Sequence, residues 1–365
     1  MKIGILGGGQ LGRMLALSGY PLGLTFRFFD PSPDACAGKV GELVNGSYED
    51  EDALARFADG LDVITYEFEN VPVEAARFLE QHAPVHPSPA ALEVAQDRLV
   101  EKRYFRTLNI PAGVFEPVDS RDDLAAAIEQ IGLPAVLKTR REGYDGKGQR
   151  VLRNQADVDA AWDELGNQPL ILEQFVAFSR ELTIISVRSR SGQFRYYRLV
   201  ENTHTDGILS KTIAPAPNVS ERLQRAADGY AHRIQTALDY TGVLAIELFE
   251  ADGRLLANEM APRVHNSGHW TIEGSETSQF ENHVRAVAGL PTGSTAMRGR
   301  ATMLNLIGST PDASEILKVE GSHLHLYGKE PRPGRKLGHV TVRSDGSGKN
   351  EASVAALEEI INGDQ

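Results

Sequence analysis

The sequence predicts a multidomain α/β and α+β protein. Three observations carry that prediction: a length of 365 residues, an opening strand–helix–strand pattern around a glycine-rich turn, and a later change to strands separated by turns. Such a chain exceeds one ordinary core, at roughly 100 to 200 residues per domain. A hydrophobic content of 41%, a charged content of 24% and the lack of any long biased tract describe a globular protein rather than a disordered one.

The first element is the apolar run at residues 2–6, which ends in Gly7-Gly8-Gly9 and passes into a helical pattern before a second strand, Thr25 to Asp30. This order opens a parallel βαβ unit. A third apolar run, Asp62 to Tyr66, delivers Glu67, Phe68, Glu69 and Asn70 past a strand's carboxyl end, the edge where open α/β sheets bind ligands. From Pro87 to about Ile110 the pattern is one helix, charged at Asp97, Arg98, Glu101, Lys102 and Arg103 and stopped by Pro111. A helix over Asp119 to Ile131 leads into a second, α+β domain that carries a glycine-rich loop. Beyond Met297, short strands flank a Pro/Gly/basic loop at 329–338, and a helix from about Glu351 to Ile361 closes a small third domain.

Charge and cysteine usage exclude several functions. A formal net charge of -12 argues against a nucleic-acid surface, where Lys and Arg must neutralise many phosphates. The single cysteine, Cys36, cannot build a disulfide framework, and no Cys/His set has structural-zinc spacing. The start lacks a signal peptide's apolar region and no run approaches ~18 apolar residues, so no membrane span and a cytoplasmic location are expected.

Gly7-x-Gly9-x-x-Gly12 between strand and helix, with Asp30 further on, matches a dinucleotide fingerprint. It equally serves any anion at a helix N-terminus, or merely lets the turn close. In PAVLKTRREGYDGKGQ, Lys138 ends an apolar strand before the loop Gly143-Tyr144-Asp145-Gly146-Lys147-Gly148; a lysine and a glycine-rich loop suit phosphate oxygens. Glu173-Gln174-Phe175-Val176 ends another apolar strand, with Glu181 following; backbone groups there suit an adenine edge, and the carboxylate suits ribose hydroxyls.

In GVLAIELFEADGRLLANEMAPRVHNSGHW two strands flank a turn read as Ala251-Asp252-Gly253. Pairing Glu250 with Arg254 sets Glu247 opposite Ala257 and makes Glu247 and Glu259 diagonal neighbours on one face. Two carboxylates so placed suit Mg2+, a hard cation that takes oxygen ligands. His265 and His269 are read as loop residues touching substrate or as structural histidines; His323 and His325 receive no chemistry. Lys329, Arg332, Arg335 and Lys336 gather in a proline-stiffened loop of an otherwise acidic chain, as a phosphate monoester site requires.

With Lys138, the 143–148 loop, Glu173 to Val176, Glu181 and the Glu247/Glu259 pair in that order, the chain resembles the ATP-grasp superfamily. Within it, GILGGGQLGRM, TYEFENVP, GYDGKGQ, NEMAPRVHNSGHW and YGKEPRPGRKLGHVT resemble the 5-(carboxyamino)imidazole ribonucleotide synthase family nearly end to end. The resemblance implies an ATP-grasp fold: a Rossmann-like preATP-grasp domain at 1–95, an ATP-grasp domain at 96–296 with a mobile lid at about 115–185, and a small C-terminal domain at 297–365. It implies ATP-dependent carboxylation of 5-aminoimidazole ribonucleotide with bicarbonate, Mg2+ but no biotin, and a homodimer. ATP would be lined by Arg98, Lys138, Gly143 to Gln149, Glu173 to Val176, Glu181, His204, Asn258 and Glu259, with Glu247 and Glu259 on the metal. Gln10, Leu11, Glu67, Lys329 and Arg335 would bind the ribonucleotide. Asp145, Arg263, His265 and Asn266 would lie near carboxyphosphate. Two rivals are a formate-dependent glycinamide ribonucleotide formyltransferase of the same superfamily and an NAD-dependent dehydrogenase resting on the glycine fingerprint.

Overall fold

A computed structural model of the chain describes residues 1–143, 146–344 and 349–363. The amino-terminal strands β1 (Lys2–Leu6), β2 (Thr25–Asp30), β3 (Glu42–Asn45) and β4 (Val63–Tyr66) form a parallel sheet in the order β3-β2-β1-β4. Helix α1 (Gln10–Gly19) follows β1, as the βαβ pattern predicts. Every residue of β4 is buried, so this strand lacks the apolar/polar alternation of a half-exposed one.

A second sheet is antiparallel: β5 (Phe115–Val118), β6 (Ala135–Thr139), β7 (Gln149–Leu152) and β8 (Leu170–Gln174), in the order β5-β8-β6-β7. Two helices, Arg121–Ile131 and Gln155–Leu165, cover it. Leu124, Ala127, Leu137, Leu152, Val158 and Leu172 give this unit a core of its own.

The large sheet holds β9 (Arg180–Arg188), β10 (Phe194–Tyr196), β11 (Val200–Thr205), β12 (Ile208–Ala214), β13 (Gly242–Ala251), β14 (Arg254–Ala261), β15 (Arg300–Ile307), β16 (Ser322–Leu326) and β17 (Lys336–Ser344). Its order is β14-β13-β9-β11-β12-β15-β17-β16, with β10 on β9. The strands after Met297 join this sheet: β15 pairs with β12, and Lys211 opposes Leu304.

Two expectations are corrected. The single helix over Pro87 to Ile110 is two, Pro89–Ala95 and Arg98–Thr107, because Asp97 leaves helical geometry and accepts hydrogen bonds from the amides of Leu99 and Val100. The 242–261 hairpin turns on two residues, not three: Asp252 (φ 50°) and Gly253 (φ 67°) are both left-handed, and Ala251 faces Arg254. A bulge then absorbs Asn258, so Glu247 lies directly opposite Glu259 rather than diagonal to it.

Candidate active site

The three sheets meet around a cleft of about 680 Å³. It gathers Gln10, Leu11 and Glu67 from the first sheet, Arg98, Lys138, Gly143, Gly146, Lys147, Gln149 and Glu173 to Val176 around the second, and Glu181, His204, Glu247, Asn258, Glu259, Arg263, His265 and Asn266 from the third. Tyr144 and Asp145 lie outside the described residues, and Gly148, Lys329 and Arg335 are not on the cleft wall. A separate concavity of about 710 Å³ beside Arg195, Tyr196 and Met297 has no carboxylate pair or glycine loop, so the chemistry belongs to the first.

At the cleft's amino-terminal end the glycine loop already holds anions of its own. Glu67 accepts hydrogen bonds from the amides of Gly9 and Gly12, and Asp30 accepts from Gly8 at 2.7 Å. Those are the amides a dinucleotide pyrophosphate would need, so the fingerprint does not build a dinucleotide site here. Burial raises the Glu67 pKa, and the two amide hydrogen bonds oppose that rise. Lys329 crosses from the carboxyl-terminal loop to donate to Gln10, its own pKa lowered by burial. Arg335 turns back onto its own loop and donates to the Glu330 carbonyl at 3.1 Å.

On the second sheet Lys138 is the penultimate residue of β6, and its Nζ lies 3.1 Å from Glu173 Oε2. Burial of Glu173 is outweighed by Lys102 and Lys138, which hold its carboxyl down to about 2. Arg98 donates to the carbonyls of Thr139 and Gly143, both at 3.0 Å, and so ties down the start of the glycine-rich loop. Phe178 and Phe249 stack at 4.5 Å on the same wall, an apolar surface suited to a planar base.

The third sheet supplies the acids. Burial, and then Glu259 across the strand pair, push the Glu247 pKa up to about 8. Two carboxylates forced side by side in a poorly solvated cleft favour a cation between them, and oxygen-only ligands suit magnesium. Among the described residues no larger His/Cys/Asp/Glu group could hold a metal. Glu181 lies 2.5 Å from His204 Nδ1; burial lowers the imidazole pKa, but this hydrogen bond leaves it raised overall. His265, 3.4 Å from Glu247, is kept neutral by burial and by Arg263. Asn266 exchanges amide hydrogen bonds with Asn305 of β15 at 3.1 and 2.6 Å, so the C-terminal strands brace this loop.

Sequence reading set Glu69 at a ligand edge and Lys336 in the basic loop, but missed Glu101 and Lys102 as cleft residues. Glu69 pairs with Arg263; burial alone would raise its pKa, but the guanidinium lowers it. Glu101 is buried, accepts from the Met260 amide at 2.6 Å, and is held well above the usual carboxylate range by burial and Glu259. Lys102 and Lys336 also line the cleft. A run of charges along the 98–107 helix was the only signal for Glu101 and Lys102. His269 is not a substrate contact: it is fully buried, packed against Phe280, Tyr327 and His339.

Comparison with known proteins agrees with this architecture. Residues 1–96 match the ribonucleotide synthetase preATP-grasp domain, 103–280 the ATP-grasp domain, and 301–353 the phosphoribosylaminoimidazole carboxylase C-terminal domain. The chain is 54% identical over 361 residues to the N5-carboxyaminoimidazole ribonucleotide synthase of Pseudomonas aeruginosa, covering 99% of each. The crystal structure of the synthetase from Thermus thermophilus superposes with a TM-score of 0.95 at 60% identity, covering 98% of both chains. That of Aspergillus clavatus, in complex with ADP and 5-aminoimidazole ribonucleotide, gives 0.92 at 32% identity, covering 99% of this chain and 98% of that one. With both an end-to-end relative and a shared three-part fold, the chain belongs to the N5-carboxyaminoimidazole ribonucleotide synthase family of ATP-grasp ligases.

Proposed function

We infer that this enzyme carboxylates 5-aminoimidazole ribonucleotide with bicarbonate at the expense of ATP, through carboxyphosphate. The products are 5-carboxyamino-1-(5-phospho-D-ribosyl)imidazole, ADP and phosphate, in de novo purine synthesis. The observation that carries the reading is one continuous cleft lined by Lys138, Gly143, Gly146, Lys147, Gln149 and Glu173, by Glu247 and Glu259, and by Gln10 and Glu67. The Aspergillus relative's complex with ADP and 5-aminoimidazole ribonucleotide supports the same pairing of ligands.

In this reading Arg98, Lys138 and the 143–149 loop hold the ATP phosphates, Glu173 to Val176 and Phe249 border the base, and Glu181 takes the ribose. Glu247 and Glu259, with Asn258 beside them, would hold magnesium, which when bound neutralises charge on the nucleotide phosphates. A bicarbonate oxygen attacks the γ-phosphorus and ADP leaves. The ribonucleotide's exocyclic amine then attacks the carboxyphosphate carbon, phosphate leaves, and the amine gives up a proton. Arg263, oriented by Glu69, offers charge to the developing oxyanion, while neutral His265 and Asn266 orient the small acid. Asp145 joins this group by family resemblance. Gln10, Leu11 and Glu67 position the ribonucleotide, and Lys329 and Arg335 take its phosphate. Closure of the lid at about 115–185 excludes water, which would otherwise hydrolyse carboxyphosphate.

The reading includes a cytoplasmic homodimer that uses no biotin. The test is ADP release by purified protein with bicarbonate or formate, and with the imidazole or the glycinamide ribonucleotide. Activity confined to bicarbonate plus the imidazole substrate is expected; formate-dependent turnover of the glycinamide would overturn it.

A further inference from the structure

Lys102 is only 3% exposed, on the helix Arg98–Thr107, four residues and one turn beyond Arg98. The helix brings its ammonium to a carboxylate belonging to the 115–174 unit: Lys102 Nζ lies 3.1 Å from Glu173 Oε2. Lys138 Nζ lies 3.1 Å from that same oxygen. Glu173 faces Val136 across the β6–β8 pair, which puts Lys138 two residues along on the same face. A buried and a partly buried ammonium group therefore share one carboxylate oxygen, while Glu173 Oε1 has no hydrogen-bond partner among the described residues.

Charge arithmetic makes this arrangement consequential. A lone lysine facing a buried carboxylate forms a closed pair, and separating it exposes an uncompensated charge at large cost. A second lysine on the same oxygen repels the first, which offsets part of the carboxylate's hold on it, and leaves the trio with one net positive charge, facing a cleft built for an anion. We propose that Lys102 is a positioning residue for the nucleotide: by sharing Glu173 it leaves Lys138 free to carry its ammonium to the phosphate oxygens of ATP. The proposal rests on the reading of Lys138 as a phosphate contact. The electrostatics run the same way, since the Lys138 pKa is lowered by burial, with Glu173 opposing and Lys102 adding to the drop.

The test is calorimetric ADP affinity, together with the KM for ATP and for the ribonucleotide. Lys102→Met keeps the Lys138–Glu173 pair, so the fold should persist. ADP binding and the KM for ATP should worsen on the order of tenfold, the size of one charged hydrogen bond, while the KM for the ribonucleotide stays put. Lys102→Arg should remain near wild type. In a Glu173→Gln background Lys102→Met should change ADP affinity little, because Lys102 acts through that carboxylate; this comparison also decides the matter if the single variant does not fold. A full tenfold loss in the Glu173→Gln background would overturn the proposal, since Lys102 would then touch nucleotide directly or serve the fold. Unchanged ADP affinity in folded Lys102→Met, with affinity lost in Lys138→Met, would overturn it too. Unchanged affinity in Lys138→Met would instead sink the reading of Lys138 itself.

Discussion

Glu247 and Glu259 repel one another, and their shared position makes sense only with a cation to neutralise them. Glu259→Gln should therefore relieve repulsion and leave the fold intact while abolishing ADP release. Circular dichroism and a turnover assay check this, and a folded variant with normal turnover would remove the metal assignment. On the ribonucleotide side, Lys329 reaches Gln10 whereas Arg335 lies back on its loop. Lys329→Ala should raise the ribonucleotide KM on the order of tenfold to a hundredfold, since a charged hydrogen bond is worth ~1.5–3 kcal/mol, and Arg335→Ala should do so by less. Steady-state kinetics with each substrate varied will tell; equal rises in the ATP and ribonucleotide KM values would point to a displaced domain. Both sets of residues were legible because they stand on two strands flanking an Asp-Gly turn or in a basic loop of an acidic chain. Lys102 was not, since nothing local separates it from a solvated surface charge; only the tertiary approach of Glu173 gives it a task, as that of Arg263 does for Glu69.

Among the elements, the strand–loop–helix start shows where pattern and role part. The glycine spacing correctly announced a strand, a tight turn and a helix, but the ligand of its amides turned out to be Glu67, whose arrival depends on β4 lying beside β1. A Cβ at Gly9 would sit 2.5 Å from Glu67 Oε1 although its backbone is unstrained, so Gly9→Ala must move that carboxylate. We expect Gly9→Ala to raise the ribonucleotide KM about tenfold, the worth of one charged hydrogen bond, with no dinucleotide binding gained or lost by calorimetry. The hairpin teaches a complementary lesson. Asp-Gly marked the turn, but its two-residue type and the bulge at Asn258 fix the register, and a bulge has no sequence signature.

At the scale of the whole molecule, His283 joins the first sheet to the third. Its Nδ1 accepts from the Val243 amide at 3.1 Å, so its Nε2 carries the hydrogen that reaches Thr65 Oγ1 at 2.8 Å. Burial drives its pKa down to about 3. Because the unfolded imidazole takes its proton near pH 6.5, the unfolded chain gains protons first on acidification. Stability is then full above about pH 6.5 and falls as pH drops toward 3, by up to ~1.4 kcal/mol per pH unit for this one group. The melting temperature should therefore be flat above pH 7 and decline below 6.5, less steeply in a folded His283→Gln variant. An identical decline in that variant would assign the acid lability to other groups. The presence of strands after Met297 was readable from turn signals. The joining of the last strands to the large sheet was not, because their partner β12 lies far back in the chain.

That joining has a consequence for biosynthesis. When β12 leaves the ribosome, one flank has β11 as partner, but the other shows bare amides and carbonyls until β15 is made. The interval from Ala214 to Arg300 takes on the order of 4 to 17 seconds at ~5–20 residues per second. Throughout it the nascent chain presents an unpaired edge strand, the template for pairing with a neighbouring chain. A chain ended at residue 296 would keep that edge for good, and Asn266 would lose the Asn305 brace with it. Solubility and catalysis thus mature together, once β15 is made.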